Sequence, residues 1–189
     1  MAASVRRSRK ALSTMNDYEF TLRFVLPSPD ADMDRIVDAL YGHGCDDALI
    51  GSGRPGRLGL DFTRAAESAR AAVLSAISDV RQAVPGATLV EVTPDLVGVA
   101  DLALMFSCSR QNMWKLIMGN CSTAPAPAHE GQSSLWHLGP LLRWLAREKR
   151  YTVDPRLLDL ADATMAVNLA LDSLRADPDT ERELRRLFA

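Results

Sequence analysis

The chain has 189 residues, a formal net charge of −2 and 47% hydrophobic residues, which is enough to bury a real core and excludes wholesale disorder. No apolar run approaches the length of a membrane span, and the length suits one large domain or two small ones. Cys45, Cys108 and Cys121 are odd in number and scattered, which argues against a disulfide framework and for a reducing cytoplasm.

The near-neutral total hides an uneven charge distribution. Arg6, Arg7, Arg9 and Lys10 make the first ten residues basic, and no acid falls among them. Residues 1–16 read as a flexible basic arm, as a leader ahead of a true start at Met15, or as a mitochondrial transit peptide, whose amphipathic periodicity is weak here. From Ala11 to Asp95 acids outnumber bases.

Asp17 to Leu26 alternates apolar and polar residues and predicts a half-buried strand, with Tyr18, Phe20, Leu22, Phe24 and Leu26 on one face. Ser28-Pro-Asp30 opens a helix whose buried stripe is Met33, Ile36, Val37, Leu40 and Tyr41, and Gly42 to Gly44 ends it. Asp46-Asp47 reads as a pair of turn residues before a short strand to Gly51. Arg57 to Phe62 predicts a third strand. Thr63 then caps a long helix to about Val84 that turns Ala69, Val73, Ala76, Ile77 and Val80 inward. Pro85-Gly86 breaks it, and Ala87 to Thr93 is a fourth strand. The order strand-helix-strand-strand-helix-strand over residues 17–94 is that of a ferredoxin-like domain, suited to dimerisation, sensing or partner binding. Gly51-Ser-Gly53-Arg-Pro-Gly56 matches a dinucleotide-binding spacing. Such a site needs the run to open a helix, whereas here Pro55 intervenes and a strand follows, so the glycines read as a hairpin turn.

Thr93-Pro-Asp95 is a short joint to a second module over residues 95–150. Val99, Leu102, Ala103 and Phe106 recur at helical spacing. Ser107-Cys-Ser109 interrupts them, and Ser109 caps a second helix that buries Met113, Leu116 and Ile117. Its other face offers Arg110, Gln111, Asn112 and Lys115. This region is basic again, through Arg110, Lys115, Arg143, Arg147, Lys149 and Arg150, and phosphates respond to such a local patch rather than to the net charge.

The run Phe106-Ser-Cys-Ser-Arg-Gln111 resembles the turn of bacterial helix-turn-helix regulators, with Ala103 as the small residue that lets the two helices cross. Pro125-Ala-Pro127, Ser134-Leu-Trp136 and Leu141-Leu-Arg-Trp144-Leu145 are similar to the wing and following helix of excisionase-like and MerR-like winged helices. Ser107 departs from the pattern, which has Gly there, and a non-Gly residue at positive φ costs about 1–2 kcal/mol. The resemblance covers about Leu96 to Lys149. It implies binding of double-stranded DNA through Ser109, Arg110, Gln111, Asn112 and Lys115. Arg110 would meet guanine or phosphate, Gln111 and Asn112 base edges, and Lys115 phosphate. One such module reads few base pairs, so a homodimer on an inverted repeat is expected. Autoregulating antitoxins share this layout, which makes a toxin a possible partner.

Gly119 to Ser134 reads as a wing or a flexible loop, Trp136 and Trp144 as core, and His137 as a polar surface or capping residue at a helix start. In residues 151–189 a helix from Asp154 to Leu174 places Leu157, Leu160, Thr164, Val167, Leu171 and Leu174 on one seam, for a subunit interface or for packing on its own domain. Asp177-Pro178 starts a last helix with Leu184, Leu187 and Phe188 on its apolar face. Cys108, Cys121, His129 and His137 lack metal-ligand spacing, and neither Ser52 beside His43 nor any other serine sits in a nucleophile elbow. The expectation is therefore an α+β, cytoplasmic, non-enzymatic transcriptional regulator without cofactor, metal or membrane attachment. The alternative is a protein-interaction module that neutralises a partner without binding DNA.

Overall fold

The alternation after Asn16 forms strand β1 (Asn16–Val25), which buries Tyr18, Phe20, Leu22 and Phe24 and turns the intervening residues outward. The structure is a computed structural model that describes residues 15–51, 53–149 and 151–188. The expected basic arm lies outside the described residues as far as position 14, as do Ser52 and Arg150.

After β1 come α1 (Met33–Gly42), β2 (Ala48–Gly51), β3 (Arg57–Ala66), α2 (Ala69–Ala83) and β4 (Thr88–Thr93). Asp32 caps α1 by accepting the Arg35 N–H, not Ser28 or Pro29 as their sequence suggests. The strands form one antiparallel sheet in the order β2-β3-β1-β4. Its inward face packs on Leu40 of α1 and on Ala69, Ala72, Val73, Ala76 and Val80 of α2. The alanines let α2 lie close to the sheet.

The expected helix cap at Thr63 is incorrect. β3 continues to Ala66, and Ser68 caps α2 by accepting the Ala71 N–H at 3.2 Å. Alternation persists because Leu58, Leu60, Phe62, Arg64 and Ala66 all point inward, and the arginine disguises it. Arg64 is 8% exposed, and its guanidinium is fully engaged. Nε and Nη2 donate to the two Asp47 oxygens at 2.7 and 2.9 Å, Nη1 to Asp79 at 2.6 Å, and Nη2 to the Gly44 carbonyl at 2.7 Å. The guanidinium also lies 4.8 Å from the Phe62 ring centre. Burial works against its charge, but the bonds and charges of Asp47 and Asp79 outweigh that and hold its pKa above the ordinary arginine value. Asp47 is thus a structural ligand of Arg64 rather than a simple turn residue.

The second module comprises β5 (Leu96–Val97), α3 (Val99–Met105), α4 (Arg110–Met118), β6 (Trp136–His137) and α5 (Leu138–Lys149). β5 and β6 pair antiparallel, which the sequence pattern did not announce in strands this short. Val97, Leu102, Met113, Ile117, Trp136, Leu141 and Trp144 belong to its core. α6 (Pro155–Arg175) and α7 (Pro178–Leu187) follow. Among the described residues the fold is thus mixed α+β, with seven helices and a four-stranded antiparallel sheet, and no helix is long and apolar enough to cross a membrane.

The α6 seam resolves as packing within the chain. Leu160, Val167 and Leu171 join the first core, while Ala161 and Leu157 join the second. Leu174 stays outside, 84% exposed. Polar groups fix the same helix. The Asp159 carboxyl accepts from the Tyr18 hydroxyl and the Ala69 N–H, both at 2.9 Å. Asn168 bonds both the N–H and the C=O of Val92, capping the open edge of β4. The Thr164 hydroxyl donates to the Pro94 carbonyl at the joint.

Removing Arg64 would leave Asp47 and Asp79 together without their counter-ion. Arg64→Met is expected to lower stability by about 3–5 kcal/mol in urea unfolding. A smaller loss from Arg64→Lys would show that charge matters as well as the fork.

Cys45 is fully buried beside this network. Burial, reinforced by Asp79, Asp47 and Asp46 and opposed by Arg64, pushes its thiol up to about 11, from 9.0. The folded state therefore keeps this proton longer than the unfolded chain. The associated stability is whole below pH 9 and is lost as pH rises towards 11. At pH 8 a thiol reagent should modify exposed Cys121 first and half-buried Cys108 more slowly, with Cys45 reacting only on unfolding.

Candidate nucleic-acid interface

The α3–α4 connection is built by capping. Phe106 ends α3, Ser107 takes φ 51°, and Cys108 precedes the Ser109 cap of the next helix. The Cys108 N–H bonds the Ala103 carbonyl at 2.9 Å and the Ser107 N–H bonds the Leu104 carbonyl at 3.2 Å, the paired bonds of a Schellman motif. Ser107 therefore holds the left-handed conformation expected of a glycine. Ser109 caps α4, its hydroxyl accepting the Asn112 N–H at 3.1 Å. That hydroxyl oxygen is committed to the fold.

Met113 and Ile117 anchor α4 in the core. Arg110, Gln111, Asn112 and Lys115 are all exposed. Arg110 and Gln111 line a cleft of about 640 Å³ between the starts of α3 and α4 and the loop tip Gly131–Ser134. Asn112 and Lys115 lie on the helix outside that lining. The loop is folded back as a hairpin at its end, where His129 and Leu135 exchange backbone hydrogen bonds at 3.2 and 3.0 Å. Trp136 Nε1 donates to the Pro125 carbonyl and Trp144 Nε1 to the Thr123 hydroxyl, so the two core indoles hold the loop as well.

Trp114 also lines the cleft, 47% exposed, four residues after Arg110. The sequence reading missed it. The available signal was its place: on α4 it falls on the Arg110 side rather than with Met113 and Ile117.

The basic patch is smaller than expected. Arg143 is paired with Asp162, Arg147 stands 3.4 Å from Glu148, and Lys149 donates to Asn120 at 2.6 Å while lying over the Trp144 ring. Among the described residues Arg110 and Lys115 have no ionic partner. The loop from Gly119 to Ser134 contains Glu130 and no Lys or Arg. His137 is not a cap or a free surface group. Its Nδ1 lies 2.7 Å from Asp95 Oδ1, because pairing of β6 with β5 turns it onto the joint. No metal-holding group of His, Cys, Asp or Glu occurs among the described residues. No family model, curated protein or solved structure matches the chain.

Because Ser107 occupies a left-handed conformation without side-chain compensation among the described residues, Ser107→Gly should stabilise the turn by about 1 kcal/mol. Thermal unfolding should show a Tm about 2–4 °C higher. A lower Tm would mean that the serine contributes something beyond its backbone.

Proposed function

We propose that this protein is a sequence-specific DNA-binding transcriptional regulator, a homodimeric repressor in which α3 and α4 act as a winged helix-turn-helix. Residues 17–94 form its ferredoxin-like domain, a reading supported by the β2-β3-β1-β4 order and the β-α-β-β-α-β succession. The observation that carries the DNA reading is the outward face of α4. It presents Arg110, Gln111, Trp114 and Lys115 to solvent beside a hairpin tip, and neither cation is neutralised among the described residues.

In this reading α4 enters a major groove. Arg110 donates its fork to guanine or phosphate, Gln111 and Asn112 meet base edges, and Lys115 meets phosphate. Ser109 acts through its cap, which fixes the first turn of the helix. Trp114 supplies apolar surface for a thymine methyl or a sugar. No catalytic role, cofactor or metal enters this reading, and the setting is the cytoplasm.

A second reading, a module that binds and neutralises a protein partner such as a toxin without touching DNA, draws on α7. That helix buries none of its residues, and Leu187 and Phe188 are 77% and 86% exposed.

Fluorescence anisotropy with a labelled duplex from the gene's own upstream region, against a scrambled duplex and across a salt series, tests the choice. Arg110→Ala should cost about 1–3 kcal/mol and relax sequence preference, whereas Lys115→Ala should weaken both duplexes and reduce the salt slope by about 1. Equal weak binding to both duplexes, unchanged in these variants, would reject the regulator reading for that operator. Co-purification with an adjacent gene product would then favour the second.

A further inference from the structure

The sheet uses its two faces differently. The inward face carries the apolar core, while β1 and β3 turn Glu19, Thr21, Arg23, Arg57, Gly59 and Asp61 to the open face. Gly59 is paired directly with Gly51 of β2 on one side and with Arg23 of β1 on the other. A strip of bare backbone therefore crosses the sheet and ends at an arginine.

Gly51 ends β2 at the hairpin turn, but Gly59 lies inside β3, where the fold does not require a glycine. Neither has a positive φ, and the β2–β3 register runs without a shift. A Cβ at Gly51 or Gly59 would meet only the other's carbonyl oxygen, at 3.9 or 3.7 Å, which is ordinary contact. Glycine inside a strand costs roughly 0.5–1 kcal/mol relative to alanine. Where neither a bulge nor a bend explains it, it marks a place where another group approaches the backbone closely.

The surroundings set the chemistry that such a group would need. Arg23, Arg54, Arg57 and Asp61 rim a cavity of about 630 Å³ over the strip. Arg23 is partly neutralised by Glu91 at 3.4 Å, but among the described residues Arg54 and Arg57 have no ionic partner. At the other end Asp61 Oδ1 accepts from the Thr21 hydroxyl at 2.6 Å, and Oδ2 has no partner among the described residues. Arg57 and Asp61 are four residues apart on β3, about 13 Å. The trough thus offers cationic forks at one end, a flat floor of peptide planes, and a hydrogen-bond acceptor at the other end. Beyond Asp61 the neighbouring hollow is lined by Glu19 and Asp46, which would repel a continuing phosphate chain.

We propose that this trough binds a free mononucleotide. Arg54 and Arg57 hold its phosphate, the strip at Gly51 and Gly59 supports its flat part, and Asp61 accepts from a ribose hydroxyl or a base amino group. The site shares no residue with the α4 cleft, so it stands whether or not the protein binds DNA.

Isothermal titration of the full chain with AMP, GMP, CMP and UMP, with inorganic phosphate and a short single-stranded oligonucleotide alongside, tests the proposal. At least one mononucleotide should bind, about tenfold or more tighter than phosphate alone. Gly59→Val, which fills the strip, and Arg57→Ala, which removes one fork, should each weaken that binding about tenfold or more. Gly59→Val suits a strand, so its unfolding midpoint should equal or exceed that of the parent. Arg57→Ala, at an exposed position, provides an independent arm if the valine variant folds poorly. No binding by any of the four nucleotides overturns the proposal, as does binding that survives both substitutions. Phosphate binding as tightly as the nucleotide would reduce the trough to a simple anion site, and tighter binding of the oligonucleotide would reassign it to a strand of nucleic acid.

Discussion

Asp95 is the residue through which the two halves of this protein hold one another. It is 2% exposed, and its partners come from three directions. One carboxyl oxygen meets His137 at 2.7 Å, the other accepts from Asn168 of α6 at 2.8 Å, and the backbone carbonyl accepts the Leu138 N–H at 2.8 Å. A polar group so deeply buried is costly without partners, so each of these bonds restricts where the others can go. Asn168 also clasps Val92 on the edge of β4, and Thr164, one turn earlier, reaches the Pro94 carbonyl. The short joint is therefore clamped from one side by α6 and from the other by β6. The orientation of α4 relative to the sheet follows from that clamp together with the apolar residues that α6 lends to both cores.

α6 packs against both cores. Consecutive residues Leu160 and Ala161 enter different cores, which a helix does when it lies between them. Its polar contacts reach β1 through Tyr18, the start of α2 through Ala69 and the start of β4 through the Leu89 carbonyl, which accepts from Arg175. Burial, with Asp159 accepting its proton, raises the Tyr18 phenol above its ordinary pKa. A cut after α5 would thus expose apolar surface on both cores and open the β4 edge, even though α6 stands outside both modules in the chain order.

Much of the fold was legible in the sequence wherever one periodicity ran uninterrupted. β1 alternates over its whole length, and α4 carries its cap and its buried residues at helical spacing. The reading failed at β3 because Arg64 occupies an inward position that an apolar residue ordinarily marks; its partners Asp47 and Asp79 are 17 and 15 residues away. β5 and β6 were illegible for another reason, since two residues carry no periodicity and their pairing depends on a loop of nearly forty positions closing. The seam of α6 showed that the helix had something to bury but not that its targets were two cores. At the candidate interface the exposed α4 side chains were readable, whereas the pairing of Arg143 with Asp162 and the tethering of Lys149 by Asn120 depended on residues that only tertiary structure brings to them. Trp114 carries no signal in the sequence beyond its place on the helix; in the structure Met113 and Ile117 fill the core side of the helix and leave it outside.

The small number of free cations constrains how the proposed DNA contact would work. With the loop tip carrying no Lys or Arg, α4 supplies Arg110 and Lys115, and two phosphate contacts give a salt slope of only about −2 for one copy. Counter-ion release on that scale provides little non-specific affinity. In the proposed reading, binding would instead draw on base edges, on the apolar surface of Trp114 and on doubling of the site by a second copy. Rigid placement of α4 then matters more than charge. A helix that reads bases with few phosphate anchors gains most from being fixed in advance, because any freedom left to it is subtracted from an already modest contact. The Schellman turn at Ser107, the Ser109 cap and the joint clamped at Asp95 restrict that freedom at three successive levels, from the turn to the helix to the module.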